Sequence, residues 1–310
     1  MSNNKTTSAF LGIFIVVAVV AIVLAGGAVW MQHKSPRQTI QNGKTTVYEE
    51  ELNFYSHKDK ICGVMDRPAD ADPKEELPLV IYCHGLGSSY AGGSAALRKY
   101  IAGLGYAAYG FDFRGGGPKS KSDGSTLEMS YDTEIEDLEA VLKRIKRLNG
   151  IDHSRVYLMG HSQGAVVASI VGCHNPDKVR GMILLAPSYN AGDLAMKIYP
   201  RLRNFRDSTW YVNMYVGPAY FKALKNFKPY DRMENFTGPV LLVHGTEDEF
   251  VPVAYSDKAA KIFPNVQYER LEGVGHAFTG NAEKPMVDLV TAYLKEQLAE
   301  SGLPSEGGEK

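Results

Sequence analysis

The sequence predicts an α/β architecture, a mostly parallel sheet wrapped by helices. Three observations carry that expectation. From residue 79 onward, short apolar runs of strand length alternate with stretches of helix length. The first run, Leu79-Val80-Ile81-Tyr82-Cys83, is apolar throughout, the pattern of a strand buried on both faces of a parallel sheet. The third is Val156-Tyr157-Leu158-Met159, which leads straight into Gly160-His161-Ser162-Gln163-Gly164 and then Ala165-Val166-Val167-Ala168. That order reads strand, abrupt turn, helix.

Composition narrows the function classes. The 310 residues suffice for one large core or two moderate domains, and 44% hydrophobic with 22% charged residues is ordinary for a globular chain. A formal net charge of −1 supplies no global field for nucleic acid. The dense basic stretch Lys143-Arg144-Ile145-Lys146-Arg147 follows Glu134, Glu136, Asp137 and Glu139. An acidic start and a basic finish match the helix dipole, so this is a solvated helix face. Cys62, Cys83 and Cys173 are odd in number and widely spaced, which implies neither a zinc site nor a disulfide framework. No metal or cofactor is expected.

Taken in order, the chain opens on an uncharged apolar run, Ala9 to Met31. As a helix it would span about 34 Å, enough for a bilayer core of ~30 Å. Residues 1–31 are therefore expected to be a retained membrane anchor. The competing reading is a secretory signal with Lys5 as its basic region and Ala25-Gly26-Gly27-Ala28 as the cleavage zone. Lys34, Arg37 and Lys44 after the run would favour a cytoplasmic domain by the positive-inside tendency. A short N-terminal anchor commonly exports the domain behind it, and the expectation is an extracytoplasmic domain, either tethered or, after cleavage, secreted. Residues 32–44 read as a tether.

Thr45 to Tyr55 and Lys60 to Arg67 are expected as strands joined by the polar turn Ser56-His57-Lys58-Asp59. A charged loop with three prolines, Pro68 to Pro78, precedes the Leu79–Cys83 strand. Helix is expected over Tyr90–Leu104, strand over Tyr106–Phe111, helix over Thr133–Leu148 and strand over Val156–Met159. The helix Ser162–Val171 and the strand Met182–Ala186 follow. After a break come strand Val240–Val243, helix Ala254–Phe263, strand Gln267–Leu271 and helix Glu283–Leu298, with a disordered tail over 301–310. The break, residues 187–237, is rich in aromatics, too long for a simple connection and too apolar for a linker. It is expected to be an inserted cap over the strand ends of a domain covering 45–300.

Ligands in such sheets bind at the carboxyl ends of the strands. There, glycines flank Ser162 because the turn forces its backbone into a strained conformation. The residue after Ser162 begins a helix, so its free N–H faces any oxyanion forming there. His84-Gly85-Leu86-Gly87, after the Leu79–Cys83 strand, is a flexible loop able to aim a second N–H. His244-Gly245-Thr246-Glu247-Asp248-Glu249 follows another strand, and Glu272-Gly273-Val274-Gly275-His276 a third. Serine, carboxylate and histidine thus occupy three strand ends in hydrolase order. A serine hydroxyl is a poor nucleophile until a base takes its proton; His276 would do so, held by Asp248, with Glu247 and Glu249 as competitors for the acid role. His84, His161 and His244 are expected to support loops.

On these residues the chain from about Leu77 to Glu300 resembles an α/β-hydrolase, among them the bacterial cinnamoyl/feruloyl-type carboxylesterases. Phe111-Asp112-Phe113-Arg114-Gly115, Leu185-Ala186-Pro187, Gly238-Pro239 and Val251-Pro252 add to the match. The resemblance implies an eight-stranded sheet, hydrolysis of small-molecule carboxylic esters through an acyl-enzyme, and Asp248 as the acid. It implies backbone N–H groups of Leu86 and Gln163 as the oxyanion hole, and Tyr220 and Asp193 of the cap as partners of hydroxyls on an aryl acyl group. The turn Gly115-Gly116-Gly117-Pro118-Lys119-Ser120 is longer than the family's. Rival readings are an aminopeptidase, a monoacylglycerol lipase or a thioesterase on the same scaffold, or a non-catalytic ligand-binding module.

Overall fold

Alternate residues of one strand feed two separate cores, and this sets the layering. In β5 (Leu77–Cys83), Leu79, Ile81 and Cys83 join a large core on one face, while Val80 and Tyr82 join a smaller one on the other. The strand is therefore apolar without alternation. The computed structural model of the chain describes residues 46–300 apart from 73, 93, 199–206 and 213. The expected anchor over 1–31, the tether over 32–44 and the tail over 301–310 lie outside the described residues. Among those described, no helix is long and apolar enough to cross a membrane.

The other strands are β1 (Val47–Glu51), β2 (Phe54–Ser56), β3 (Asp59–Ile61), β4 (Gly63–Pro68), β6 (Ala107–Phe111) and β7 (Ile151–His161). They continue as β8 (Gly181–Leu185), β9 (Thr209–Tyr211), β10 (Met214–Val216), β11 (Val240–Gly245) and β12 (Val266–Leu271). The helices are α1 (Ser94–Gly103), α2 (Tyr131–Ile145), α3 (Gln163–His174), α4 (Ala191–Ile198), α5 (Pro218–Leu224), α6 (Ala254–Ala260) and α7 (Glu283–Glu300). Eight strands form the main sheet in the order β1-β4-β6-β5-β7-β8-β11-β12. From β6 to β12 the pairs are parallel, and β1, β4 and β6 pair antiparallel. The chain steps from β5 to β6 on one side and then to β7 on the other. That reversal opens a crevice at the carboxyl ends of β5 and β7.

Local departures from the sequence-based expectation have long-range causes. The expected strand over 45–55 splits, because β2 turns away to pair with β3 around His57, whose φ is 52°. The helix expected from Tyr90 begins at Ser94, since the Tyr90 N–H donates to Asp112 Oδ1 (2.7 Å) and the Gly92 N–H to the Ser89 carbonyl. α2 starts two residues early on a capping box between Ser130 and Thr133. Between β8 and β11 the chain forms α4, the β9–β10 hairpin and α5. Here Tyr211, Tyr220 and Phe221 are buried against one another, whereas Trp210 and Tyr215 are exposed. Most of the described aromatics of the cap thus pack into the core.

A buried ion pair ties α1 to the sheet. Arg98 Nε donates to Asp66 Oδ2 at 3.0 Å, both side chains almost wholly buried. The arginine stem crosses Gly110, where any Cβ would meet its Cδ at 2.6 Å. Burial pushes the Asp66 carboxyl up to about 6 despite the guanidinium beside it. Arg98→Met strands that carboxylate and is expected to cost about 3–5 kcal/mol in denaturant unfolding. Arg98→Met combined with Asp66→Leu is expected to recover most of the loss; an equal loss in both would assign the effect to packing of the arginine stem instead.

Candidate active site

Ser162 sits between β7 and α3 with φ 56° and ψ −120°, a conformation that costs a side-chain-bearing residue free energy. Two glycines make the turn possible. A methyl group on Gly160 would press on the Gly164 carbonyl and the Ala165 N–H, and one on Gly164 on the carbonyls of Cys83 and His84. The turn is held to β8, as the Ser162 N–H donates to the Leu185 carbonyl at 2.9 Å. Strand, helix and neighbouring loop thus meet at backbone distance, and the serine side chain is turned out from the sheet edge.

His276 and Asp248 converge on it from β12 and β11. Ser162 Oγ lies 2.9 Å from His276 Nε2, and His276 Nδ1 lies 2.7 Å from Asp248 Oδ2. With Nδ1–H donated to the carboxylate, Nε2 is free to accept the serine proton. Asp248 is buried, and burial alone would raise its pKa. Hydrogen bonds from His244, His276 and the Val251 N–H prevail and hold the carboxyl well below the usual range. Its other oxygen accepts from the N–H groups of Phe250 (2.9 Å) and Val251 (2.8 Å). Glu247 and Glu249, the competitors by sequence, are exposed.

Three further histidines at strand ends surround this arrangement. His244 is fully buried and directs Nε2 at Asp248 Oδ2 (3.1 Å) and the Val251 carbonyl (2.9 Å). Both partners are acceptors, so Nε2 carries a hydrogen; this second grip on the acid was not legible beyond the residue's place at a strand end. His161 Nε2 donates to the His276 carbonyl at 2.9 Å. Burial, then the neighbouring His276, pushes its pKa down to about 4, so its ring is neutral at physiological pH. His84 Nε2 accepts from the Phe113 N–H (3.2 Å), leaving Nδ1–H to donate to the Gly85 carbonyl (2.8 Å).

The two backbone donors expected by sequence border the same space. Gln163 is the first residue of α3, so its N–H has no carbonyl one turn back within the helix. In the loop after β5, the Gly87 and Ser88 N–H groups are bonded to Gly116 and Gly85 carbonyls. Leu86 immediately precedes them and lines, with Ser162, Gln163 and His276, a cavity of about 320 Å³. Asp112 and Arg114, the polar members of the Phe111–Gly115 motif, serve as ties: Asp112 accepts from the Tyr90 and Lys121 N–H groups, and Arg114 bonds Asp137, Asp59 and Glu136.

The family model described as serine aminopeptidase, S33, matches residues 74–228, half of the chain, and the alpha/beta hydrolase fold model matches residues 199–279. The chain is a member of the α/β-hydrolase superfamily. A Mycoplasma genitalium protein provisionally assigned as esterase/lipase 2 is 26% identical over 252 residues, 72% of this chain and 91% of that protein. Mouse sn-1-specific diacylglycerol lipase ABHD11 is 20% identical over 266 residues, 72% of this chain and 83% of that protein. The solved structure of Est1E from Butyrivibrio proteoclasticus with ferulic acid bound shares the fold, with TM-score 0.72 and 21% identity over 80% of this chain and 99% of that one.

In this α/β-hydrolase the two cap residues singled out by sequence part company. Tyr220 lines the Ser162 cavity, but its hydroxyl donates to Gln163 Oε1 at 2.7 Å. The Gln163 amide donates to Met129 Sδ at 3.7 Å, and burial pushes the Glu134 carboxyl well above its usual range. Asp193 is exposed, accepts from the Tyr255 hydroxyl at 2.7 Å and borders a different cavity with Tyr230 and Lys258. Sequence could mark both as polar residues of the cap; which way each faces depends on packing between α4, α5 and α6.

The strained turn makes a measurable prediction. Ser162→Gly removes both the side chain and the conformational penalty, whereas Ser162→Ala removes only the hydroxyl. The glycine variant is expected to be the more stable by about 1 kcal/mol in denaturant melts, the strain relieved less the added chain entropy. An alanine variant as stable as the glycine one would mean the turn stores no strain.

Proposed function

We propose that this α/β-hydrolase is a serine carboxylic-ester hydrolase working through an acyl-enzyme. The observation that carries the reading is the unbroken contact from Ser162 Oγ through His276 to the buried Asp248 carboxylate, opening into a cavity. Ser162 Oγ attacks the ester carbonyl carbon as His276 Nε2 takes its proton. Asp248 holds the ring and stabilises its cation. Negative charge gathering on the carbonyl oxygen meets the N–H groups of Leu86 and Gln163. The carbon–oxygen bond to the alcohol then breaks, the alcohol leaves with the proton from His276, and water releases the acid by the same route.

A peptide substrate with a free α-amino group would call for a carboxylate in the cavity. Among the described residues that line it there is no Asp, Glu, Lys or Arg. An uncharged acyl group therefore suits this space better than an amino-terminal residue does. Tyr131, Tyr211 and Tyr220 form an aromatic wall on the cap side. A compact aryl acyl group, of the shape of the ferulic acid bound by Est1E, suits a cavity with such a wall. This is the substrate class we favour over long-chain acyl esters.

A fluorophosphonate probe is expected to label Ser162, and Ser162→Ala to lower turnover on the ~10⁶ scale. Asp248→Asn is expected to cost about 10⁴, by analogy with a protease triad, while Glu247→Gln leaves the rate within about twofold, as surface changes do. Labelling that survives Ser162→Ala would assign the nucleophile to another residue, and a wild-type chain that takes no label would leave a ligand-binding module as the alternative. Short-alkyl hydroxycinnamates should exceed long-chain acyl esters in kcat/KM by about tenfold or more, a difference of ~1.4 kcal/mol in transition-state binding. The reverse order would move the protein to the lipases.

A further inference from the structure

A second cavity, of about 710 Å³, abuts the Ser162 cavity and has more than twice its volume. The two meet along Gly85, Ser88 and His161, which line both. Its walls come from α1, the end of β8, α7 and the loop after His276, through Leu97, Leu185, Phe278, Met286 and Val287. Leu185, Phe278 and Met286 are themselves buried. The charged residues that reach it, Glu283 and Lys284, are exposed, and Lys284 is paired with Asp288. Phe278 has a φ of 49°, a left-handed conformation that a bulky residue rarely adopts. In that conformation its ring lies 6.1 Å from His161, on the boundary between the two cavities.

The reaction geometry gives this space a direction. With the oxyanion toward Leu86 and Gln163, the leaving oxygen must face His276 Nε2 to receive its proton. The acyl group then extends toward Tyr131 and Tyr220, and the alcohol toward the side of His276. That is the side on which Ala277 and Phe278 continue the chain into the second cavity.

We infer that the second cavity receives the alcohol half of the ester, and that this alcohol is a bulky apolar one, an alkyl or alicyclic chain. The inference rests on the ester-hydrolase reading above. The chemistry is unchanged: the Ser162–acyl bond forms, the bond from acyl carbon to alcohol oxygen breaks, and the alcohol departs through this cavity with the proton His276 took from Ser162.

Two ester series on the full chain test it, acetates of ethanol, butanol and hexanol against ethyl esters of acetic, butyric and hexanoic acid. Hexyl acetate is expected to exceed ethyl acetate in kcat/KM by about tenfold or more, as burial of four further methylenes allows. Ala96→Trp, at an exposed position of α1, and Val287→Trp, on α7, fill the cavity from two sides. In both, the hexyl-to-ethyl ratio should fall toward one, with the loss in KM. A flat alcohol series in the wild-type chain, or a ratio that neither variant lowers, overturns the inference while ethyl acetate hydrolysis leaves the ester-hydrolase reading standing. If no ester turns over and Ser162 takes no fluorophosphonate label, both fall together.

Discussion

The approach of α3 to the sheet at backbone distance is the constraint on which the rest depends. Gly160 and Gly164 let the helix start within contact of the β5 loop, and any side chain at either position would separate them. That single closeness brings the serine, the first N–H of the helix and the Leu86 loop into one volume. It also accounts for the composition of α3, whose residues Gln163 to Cys173 are all buried. A helix pressed this tightly has no solvent face to decorate with charge.

Near that point the protein keeps the Asp248 carboxylate charged although it is buried. Asp248 is tolerated because four donors converge on its two oxygens: two imidazoles and two backbone N–H groups. Burying a charge without such partners would cost several kcal/mol. The same donors fix its orientation, so the imidazole of His276 is presented to Ser162 in one tautomer. His161 acts on the other end of that loop, through the His276 carbonyl. The histidines flanking the site are thus structural ties whose geometry the chemistry inherits.

The layered sheet, the turn at Ser162 and the order of the three strand-end residues were readable in the sequence because each depends on neighbours along the chain. The apolar run from Leu79 to Cys83, or glycines flanking a serine, carries its own reason. What escaped depends on partners far apart in sequence. α1 starts late because Asp112, from another strand end, takes the Tyr90 N–H. His244 was legible as a residue beside a strand end but not as a second ligand of the acid, since Val251 and Asp248 curl back onto it only in the folded loop. Asp193 and Tyr220 are both polar residues of the cap, and only the packing of α4 and α5 turns one outward and the other toward Gln163.

The hydrogen bond from Tyr220 to Gln163 joins two parts of the chain that otherwise divide the labour. Residues that move protons come from segments before and after the cap, so the cap could diverge widely without disturbing them. Tyr220 is the exception, because its partner is Gln163, the first residue of α3 and the neighbour of Ser162. Displacement of the cap that withdraws the tyrosine leaves a buried amide oxygen without its donor at the mouth of α3. Tolerance to change is therefore uneven across the cap: the exposed faces of its hairpin, with Trp210 and Tyr215, can be redrawn, whereas the buried Tyr211, Met214 and Val216 of the hairpin and Tyr220 of α5 are held by what they pack against.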